Sequence, residues 1–442
     1  MEVLYSKDGT PLMAQGSKAI VFTSNERQPT EKTHDAFQYN DVAYAGWGGA
    51  NRQPEDDELL IAKTPVLRTG LSYKCRVAHG QGVIPIVIDG YDESLNEIYK
   101  PLNNKDIINF LNDYVFESYL NTTFQNLFKF GNAFPIFTFN SDASKILRVE
   151  ARSARHCRIS IDKKKLLIYN DFANTMPSKN TDKQAIVLDM LDEVDPFYNL
   201  EYLKNNKKLS GKQIAFPRIK NFFSSNDYYA TPDWYSARDA GWIDVAHKAV
   251  TFIKKAYENS MSIMWHVKIP YSFWEKKFPI SEIPDAKERQ AQIAQFLENI
   301  EKTLCGEENA RKALISHFTA DSEIDTRDKW EIDPIDSKKI FDEKLATSAA
   351  GNSEILFSLM VNPSVLGAGM PGGPYSGNAG SGSDIREGFT ISMLLAHIEK
   401  QQTLDPVEMM LRFNGYDHVQ IKYKTTFLTT LDKGKSTQSE VI

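Results

Sequence analysis

The sequence is short of the patterns that most enzymes and membrane proteins display, and each shortage excludes something. Cysteine occurs only as Cys75, Cys157 and Cys305 in 442 residues. A few widely spaced thiols, odd in number, exclude a disulfide framework and fit folding in a reducing cytoplasm. No cysteine pair has metal-ligand spacing, the eight histidines form no H-E-x-x-H, and no G-x-S-x-G is present, so the common zinc and serine-hydrolase constellations are missing. His156 and Cys157 are adjacent, but neighbours on a strand point to opposite faces, which argues against a shared metal. No apolar run approaches the roughly 18 residues of a membrane-spanning helix. The opening "MEVLYSKDGTPLM" lacks the basic-then-apolar pattern of a signal peptide, so a soluble protein without membrane contact is expected. Positive charge is also short, with 52 Lys and Arg against 58 Asp and Glu. That balance disfavours a tight grip on nucleic acid over the whole surface and leaves transient contact through local patches open.

What is present reads as an ordinary folded chain, long enough for two or more regions with cores. Residues 1–56 are polar and turn-rich and read as an N-terminal arm. The spacing then predicts a helix over "TPVLRTGLSYKCRVAH" and a strand in "GVIPIVIDGY". Apolar residues at Ile107, Leu111, Val115, Phe124, Leu127 and Phe128 predict one amphipathic helix from Asn104 to about Lys129. Gly131-Asn132 ends it with a left-handed cap, and "AFPIFTF" follows as a strand that Pro135 assigns to a sheet edge. "ILRVEA", "CRISID", "LLIYND" and "AIVLDM" continue a strand series. The second half is richer in helix. Ser236 and Asp239, at capping-box spacing, open a long helix with an apolar stripe that includes Trp242, Ala246, Ala249 and Ile253. "SIMWHVKIP" reads as a strand, "DAKERQAQIAQFLENIEKTL" as a helix, and about Ser337 to Met360 as another. Asp384 and Glu387 cap a helix that stops before "TLDP". Asp405, Pro406 and Glu408 start the next, which Asn414-Gly415 ends. "HVQIKYK" alternates as a strand, and the last residues read as frayed. The class is α+β.

Two nucleotide-like signals fail on context. Gly367, Gly369 and Gly372 spell G-x-G-x-x-G within "VLGAGMPGGPYSGNAGSGSD". A dinucleotide loop needs a strand before it and a helix starting inside it. Here the preceding pattern is helical, Pro371 and Pro374 intervene, and no helix is signalled before Asp384. Gly434-Lys435-Ser436 imitates the end of a P-loop, but Thr429 stands where the first glycine is required. "EARSARHCR" gathers Arg152, Arg155, His156 and Arg158, either as a patch for phosphates or an acidic neighbour or, the favoured reading, as a solvated basic edge. The acidic pairs Asp56-Asp57 and Glu307-Glu308 read as surface charge. No catalytic constellation, cofactor site or metal site emerges.

The succession "FQNLFKFGNAFPIF", "ARSARHCRI", "YYATPDWYSA", "NSMSIMWHVKIP", "LCGEENARKALI", "SEILFSLMVNPSVLGAG" and "GFTISMLLAHIEKQQTLDPVEMMLRFNG" resembles the portal (head-to-tail connector) proteins of tailed bacteriophages, over roughly Thr64 to Gly415. "VNPSVLG" before a glycine-rich stretch is the best single match. The resemblance implies a portal-like fold. Residues 57–235 and 385–442 would form an α/β wing, 236–264 and 336–361 two stem helices, and 265–335 a small α/β clip. Residues 362–384 would be a tunnel loop followed by a long helix, with a minimal crown or none. It further implies a non-enzymatic ring, usually of twelve subunits, at the capsid vertex and head-tail junction of the virion, made in the host cytoplasm. Double-stranded DNA would pass through its channel during packaging and ejection. The implied partners are the terminase large subunit, the major capsid or scaffold protein, and a head-tail adaptor protein.

The residues of the loop suit that role. No Lys, Arg, Asp or Glu lies between Asn362 and Ser383. Firm DNA binding needs cations that neutralise phosphates, and a channel through which DNA moves is better lined without them. Gly367, Gly369, Met370, Gly372, Gly373, Tyr375, Ser376, Asn378 and Ser381 are therefore the expected channel contacts. Lys254, Lys255, Lys338, Lys339 and Lys344 are a possible basic lining, with pairing to acids of a neighbouring subunit equally open. The alternatives are a nucleotide-binding enzyme using residues 365–384, or another virion structural protein.

Overall fold

The computed structural model describes residues 2–5, 11–15, 36–93, 95, 97–172, 174–177, 185–205, 209, 213–225, 228–260, 265–305, 313–318, 331–334, 338–366, 382–428 and 437–441. Two compact units share the chain. The first comprises Met1–Leu60, Gly82–Pro232 and Glu399–Tyr423; the second comprises Ile61–Gln81, Asp233–Ile398 and Lys424–Ile442. Both mix helix and sheet, as the sequence predicts.

In the first unit, two short hairpins come first: β1 (Glu2–Tyr5) with β2 (Pro11–Gln15), and β3 (Ala36–Tyr39) with β4 (Val42–Ala45). Helix α1 (Gln53–Lys63) follows. Strand β5 (Val83–Tyr91) pairs with β6 (Glu97–Pro101) and with the first half of β17 (Gln420–Leu428). Next come α3 (Lys105–Leu111), α4 (Tyr114–Phe130) and β7 (Asn132–Phe139). Strand β7 pairs with β8 (Ile146–Arg152) along one side, and with β12 (Gln213–Ala215) and β13 (Ile219–Lys220) along the other. A second sheet is ordered β11 (Ile186–Asp189), β10 (Lys165–Ile168), β9 (Cys157–Ile159). Helices α5 (Pro196–Asn205) and α12 (His397–Phe413) complete the unit.

Four sequence expectations change here, each for a local reason. Residues 36–56 are no arm. Trp47 is buried and stacks on Tyr229 with ring centroids 4.2 Å apart, while Tyr39, Tyr44 and Ala45 are buried as well. Asp57, expected at the surface, is buried and accepts a 2.9 Å hydrogen bond from Gln53 Nε2. The helix expected over Asn104–Lys129 is two helices, because Asp113 is extended and re-caps α4 through Val115 N–H. Strand β7 is central rather than an edge. Pro135 is tolerated because its carbonyl, and hence its missing N–H, faces Phe216, where β12 gives way to β13 and the ladder is irregular.

Helix α12 runs through "TLDP" with Pro406 inside it, where a break was expected. Pro406 costs the helix the bond to Gln402 O, and the segment is held instead by burial of Thr403, Leu404, Pro406 and Val407, with the Tyr119 hydroxyl donating to Thr403 O at 2.7 Å. The far end is pinned by Asn414, whose side chain both donates to and accepts from the backbone of Ile146.

The second unit contains α2 (Pro65–His79), α6 (Tyr235–Asp239), α7 (Trp242–Ser260), α10 (Lys338–Ser358) and α11 (Gly382–Leu395). Ser236 is no cap: its hydroxyl donates to Asp233 O inside α6, and Gly241, at φ 84°, separates α6 from α7. Strand β14 (Trp265–Pro270) pairs parallel with β15 (Ala313–Phe318) and antiparallel with β16 (Glu331–Pro334), so that Trp265 faces Pro334. Helices α8 (Tyr271–Lys277) and α9 (Ala286–Cys305) lie between β14 and β15 in the chain. Val267, Ile269, Trp274 and Phe278 form a small core against which Ile293, Phe296, Leu297 and Ile300 of α9 pack. The end expected to fray carries β18 (Thr437–Val441), paired with the second half of β17.

The turn from α4 into β7 presses backbone directly against backbone. Gly131 is left-handed (φ 71°, ψ 4°), as expected from its cap position. A Cβ there would lie 2.9 Å from Ala230 O, Thr231 C and Pro232 N, all backbone atoms that cannot rotate away. Asn132 holds the same segment, donating to Ala230 O and accepting from Ala230 N–H, each at 2.8 Å. Gly131→Ala is expected to cost more than the roughly 1 kcal/mol of an ordinary left-handed replacement, on the order of 3 kcal/mol or more. Urea denaturation measures it, and a loss below 1 kcal/mol contradicts the close packing.

Candidate functional site

The expected channel residues from Gly367 to Ser381 lie outside the described residues. The two stems that carry them are described, and their geometry follows from the sequence. Helix α10 ends in a Schellman motif: Val361 N–H bonds to Leu356 O at 3.0 Å, and Met360 N–H to Phe357 O at 2.9 Å. Met360 takes the left-handed position, φ 55°, that glycine usually fills. Leu356 and Val361 are both buried, the hydrophobic contact that accompanies this cap. Asn362 then accepts from Ser364 N–H at 3.0 Å and starts a single 3-10 turn, Pro363–Leu366. "VNPSVLG" is thus a helix stop followed by an asparagine-braced turn.

The chain resumes in α11, which packs back on that turn. A Cβ on Gly388 would lie 3.0 Å from Val365 Cγ1 and 3.2 Å from Asn362 Nδ2, so the departing turn and the returning helix touch. The expected cap at Asp384 falls in the first turn of α11, which already begins at Gly382. Among the described residues, the glycines are preceded by helix and 3-10 turn, not strand, and the next helix described begins at Gly382. A dinucleotide loop requires the opposite arrangement.

Helix α10 packs on α7 at small residues: a Cβ on Gly351 would sit 3.4 Å from Ala246 Cβ and 3.5 Å from Trp242 O. It also packs on α2, where Gly70 faces Leu356 and Leu359. Of the residues named as a basic lining, Lys254 and Lys255 are exposed on α7. Lys338, Lys339 and Lys344 fall on the first half of α10, with side chains outside the described set.

The basic cluster is where sequence reading misjudged burial. Arg158 is no solvated edge, since it is fully buried. Its guanidinium donates to Asn51 O at 2.8 Å, to Arg155 O at 2.8 Å, to Cys157 O at 2.9 Å and to the Asn51 side chain. It lies 4.2 Å from the Phe172 ring centroid and 3.9 Å from the buried Glu55 carboxylate. Burial pushes Glu55 above its usual carboxylate range, against the opposing pull of Arg158. Nearer the surface, Arg155 and Lys129 both reach Glu58, at 3.0 and 3.5 Å. The cluster thus answers acids of its own chain. His156 is held below its usual range by burial and then by Arg155 and Arg158. Burial pushes the Cys157 thiol up to about 12, which leaves it an unreactive thiol at neutral pH.

A cavity of about 670 Å³ beside β11 and α5 is lined by Phe139, Met190, Leu203 and Ile214, with Asp162, Lys163 and Glu193 among its polar residues. Lys163 and Glu193 approach to 4.0 Å, and Asp162 accepts from Ser160, so these charges have partners within the chain. Among the described residues, no group of three His, Cys, Asp or Glu is placed to hold a metal ion.

No protein-family model and no curated relative matches the chain. Solved structures do match. A chain in the neck of a native gene transfer agent (GTA) particle, computed with C12 symmetry, superposes with a TM-score of 0.51 at 11% identity, covering 88% of this chain and 86% of that one. A chain in the virion of a native gene transfer agent particle gives 0.49 at 13%, covering 85% and 84%. A chain in the neck of an empty particle, computed with C6 symmetry, gives 0.49 at 12% with the same coverage. At 11% identity, the likeness to the C12 neck chain is one of fold.

Two substitutions test these geometries. Arg158→Ala strands Glu55 and three carbonyl acceptors, and is expected to cost about 3–5 kcal/mol in urea denaturation. Arg158→Met combined with Glu55→Gln should recover much of that loss. Met360→Gly relieves the left-handed strain at a half-exposed position and is expected to raise stability by about 0.5–1 kcal/mol. A lowered melting temperature would contradict the cap assignment.

Proposed function

We propose that the chain is a portal subunit, forming a ring at the capsid vertex of a phage-like particle and conducting double-stranded DNA. The observation that carries the reading is the fold shared with a chain of the C12 neck, which extends over 88% of this chain. The order of sequence landmarks supports it independently. In this reading α7 and α10 are the stem pair, residues 265–335 are the clip that docks the terminase and then the adaptor protein, and the first unit belongs to the wing. The uncharged segment 362–383 reaches into the channel from the base formed by Asn362, Val365 and Gly388. Without Lys or Arg it cannot hold phosphates by ion pairing, so each contact with DNA is weak and readily exchanged. The protein then works by shape and assembly and carries no catalytic centre.

The test is negative-stain microscopy of the purified chain, with rotationally symmetric rings and a central hole wide enough for duplex DNA as the expected result. A uniformly monomeric particle at high concentration would overturn the reading. Deleting residues 368–381 is expected to leave rings intact while impairing packaging or retention of DNA; collapse of assembly would instead make the loop a structural element.

A further inference from the structure

Helix α11 is apolar on two sides, and among the described residues only one of them is covered. Gly388, Met393 and Ala396 are buried on the face that meets the 3-10 turn and α2. On the other side Ile391, Leu394, Leu395 and Ile398 are 55%, 61%, 48% and 41% exposed. The spacing of Ile391, Leu394 and Leu395, i, i+3 and i+4, places these three on one face of α11. Ile398 lies past the turn at Ala396 and adds a further exposed apolar side chain at the start of α12.

We propose that this second face is the seat of a neighbouring copy of the same chain, an inference that rests on the ring reading above. The exposed fractions correspond to about 400 Å² of apolar surface, as large as the main patch on an ordinary monomer. A stable interface buries about 800 Å² on each partner, so the row supplies roughly the apolar half of one side. Asp384 and Glu387 lie on the same side of α11 toward its amino end, giving the apolar row a polar rim. Because the row sits on the helix that returns from the loop, a neighbour seated on it fixes the loop base of each subunit relative to the next.

The experiment is Ile391→Asp with Leu395→Asp in the full chain, followed by analytical ultracentrifugation and negative stain. Wild-type rings are expected. The variant should stay monomeric to concentrations at least roughly 100-fold higher, since two carboxylates would enter an apolar contact, with unchanged far-UV circular dichroism and melting. Rings formed by the variant at the wild-type concentration overturn this assignment and leave the ring reading standing; a wild-type chain that never forms rings removes both. Should the aspartates impair folding, Leu394→Cys in a Cys75→Ser, Cys305→Ser background decides by thiol labelling. Protection in the ring and ready reaction in dissociated subunits support the contact, and equal labelling rates overturn it.

Discussion

The first unit depends on one backbone contact that leaves no room for a side chain. At Gly131 the chain leaves α4, turns through a left-handed residue and enters β7 while pressed against the backbone of Ala230–Pro232. The glycine and the asparagine after it divide the work. Gly131 permits the approach, and the Asn132 amide replaces the ladder bonds that a turn cannot make. Because β7 is the central strand, the position of β8, β12 and β13, and of α4 above them, follows from this junction. Packing density makes such a contact unforgiving, since backbone atoms have no rotamers through which to yield.

The base of the glycine-rich segment is built on a different principle. There the chain stops a helix with a left-handed methionine, braces a turn with Asn362, and closes the departure and return against each other at Gly388. The anchors are fixed by hydrogen bonds and apolar contact, whereas the segment between them carries neither charge nor apolar periodicity. A phosphate cradle needs the reverse: a strand, a tight glycine turn, and helix amides converging on an anion.

Much of this was legible in the sequence because local chemistry decided it. The Gly131 cap, the ends of α2 and α10, the strands β8 to β11 and the clean alternation of β17 follow from short-range pattern. The misreadings share a cause in contacts made far along the chain. Pro135 reads as an edge residue unless Phe216 is known to close the irregular side. "TLDP" reads as a helix boundary because proline breaks helices locally, whereas the burial of Thr403, Leu404, Pro406 and Val407 that keeps the helix going depends on residues remote in sequence. Arg158 reads as solvated because nothing nearby announces that Trp47, Asn51 and Glu55 will cover it. Residues 36–56 look like an arm for the same reason: their polar groups are spent on a buried cation supplied by a distant strand. A charged residue flanked by Cys157 and Ile159 was the available hint, as strand alternation cannot place all three on one face.

The pairing of Trp265 with Pro334 has an evolutionary corollary. It means that the α/β segment 265–334 enters and leaves through adjacent positions on neighbouring strands, with its core drawn from its own residues. Such a cassette can lengthen, shrink or be exchanged while the helices on either side keep their register, since the flanking chain sees only a closed loop of constant width. The separation of its two ends is therefore set by one strand pair and not by the length of chain between them.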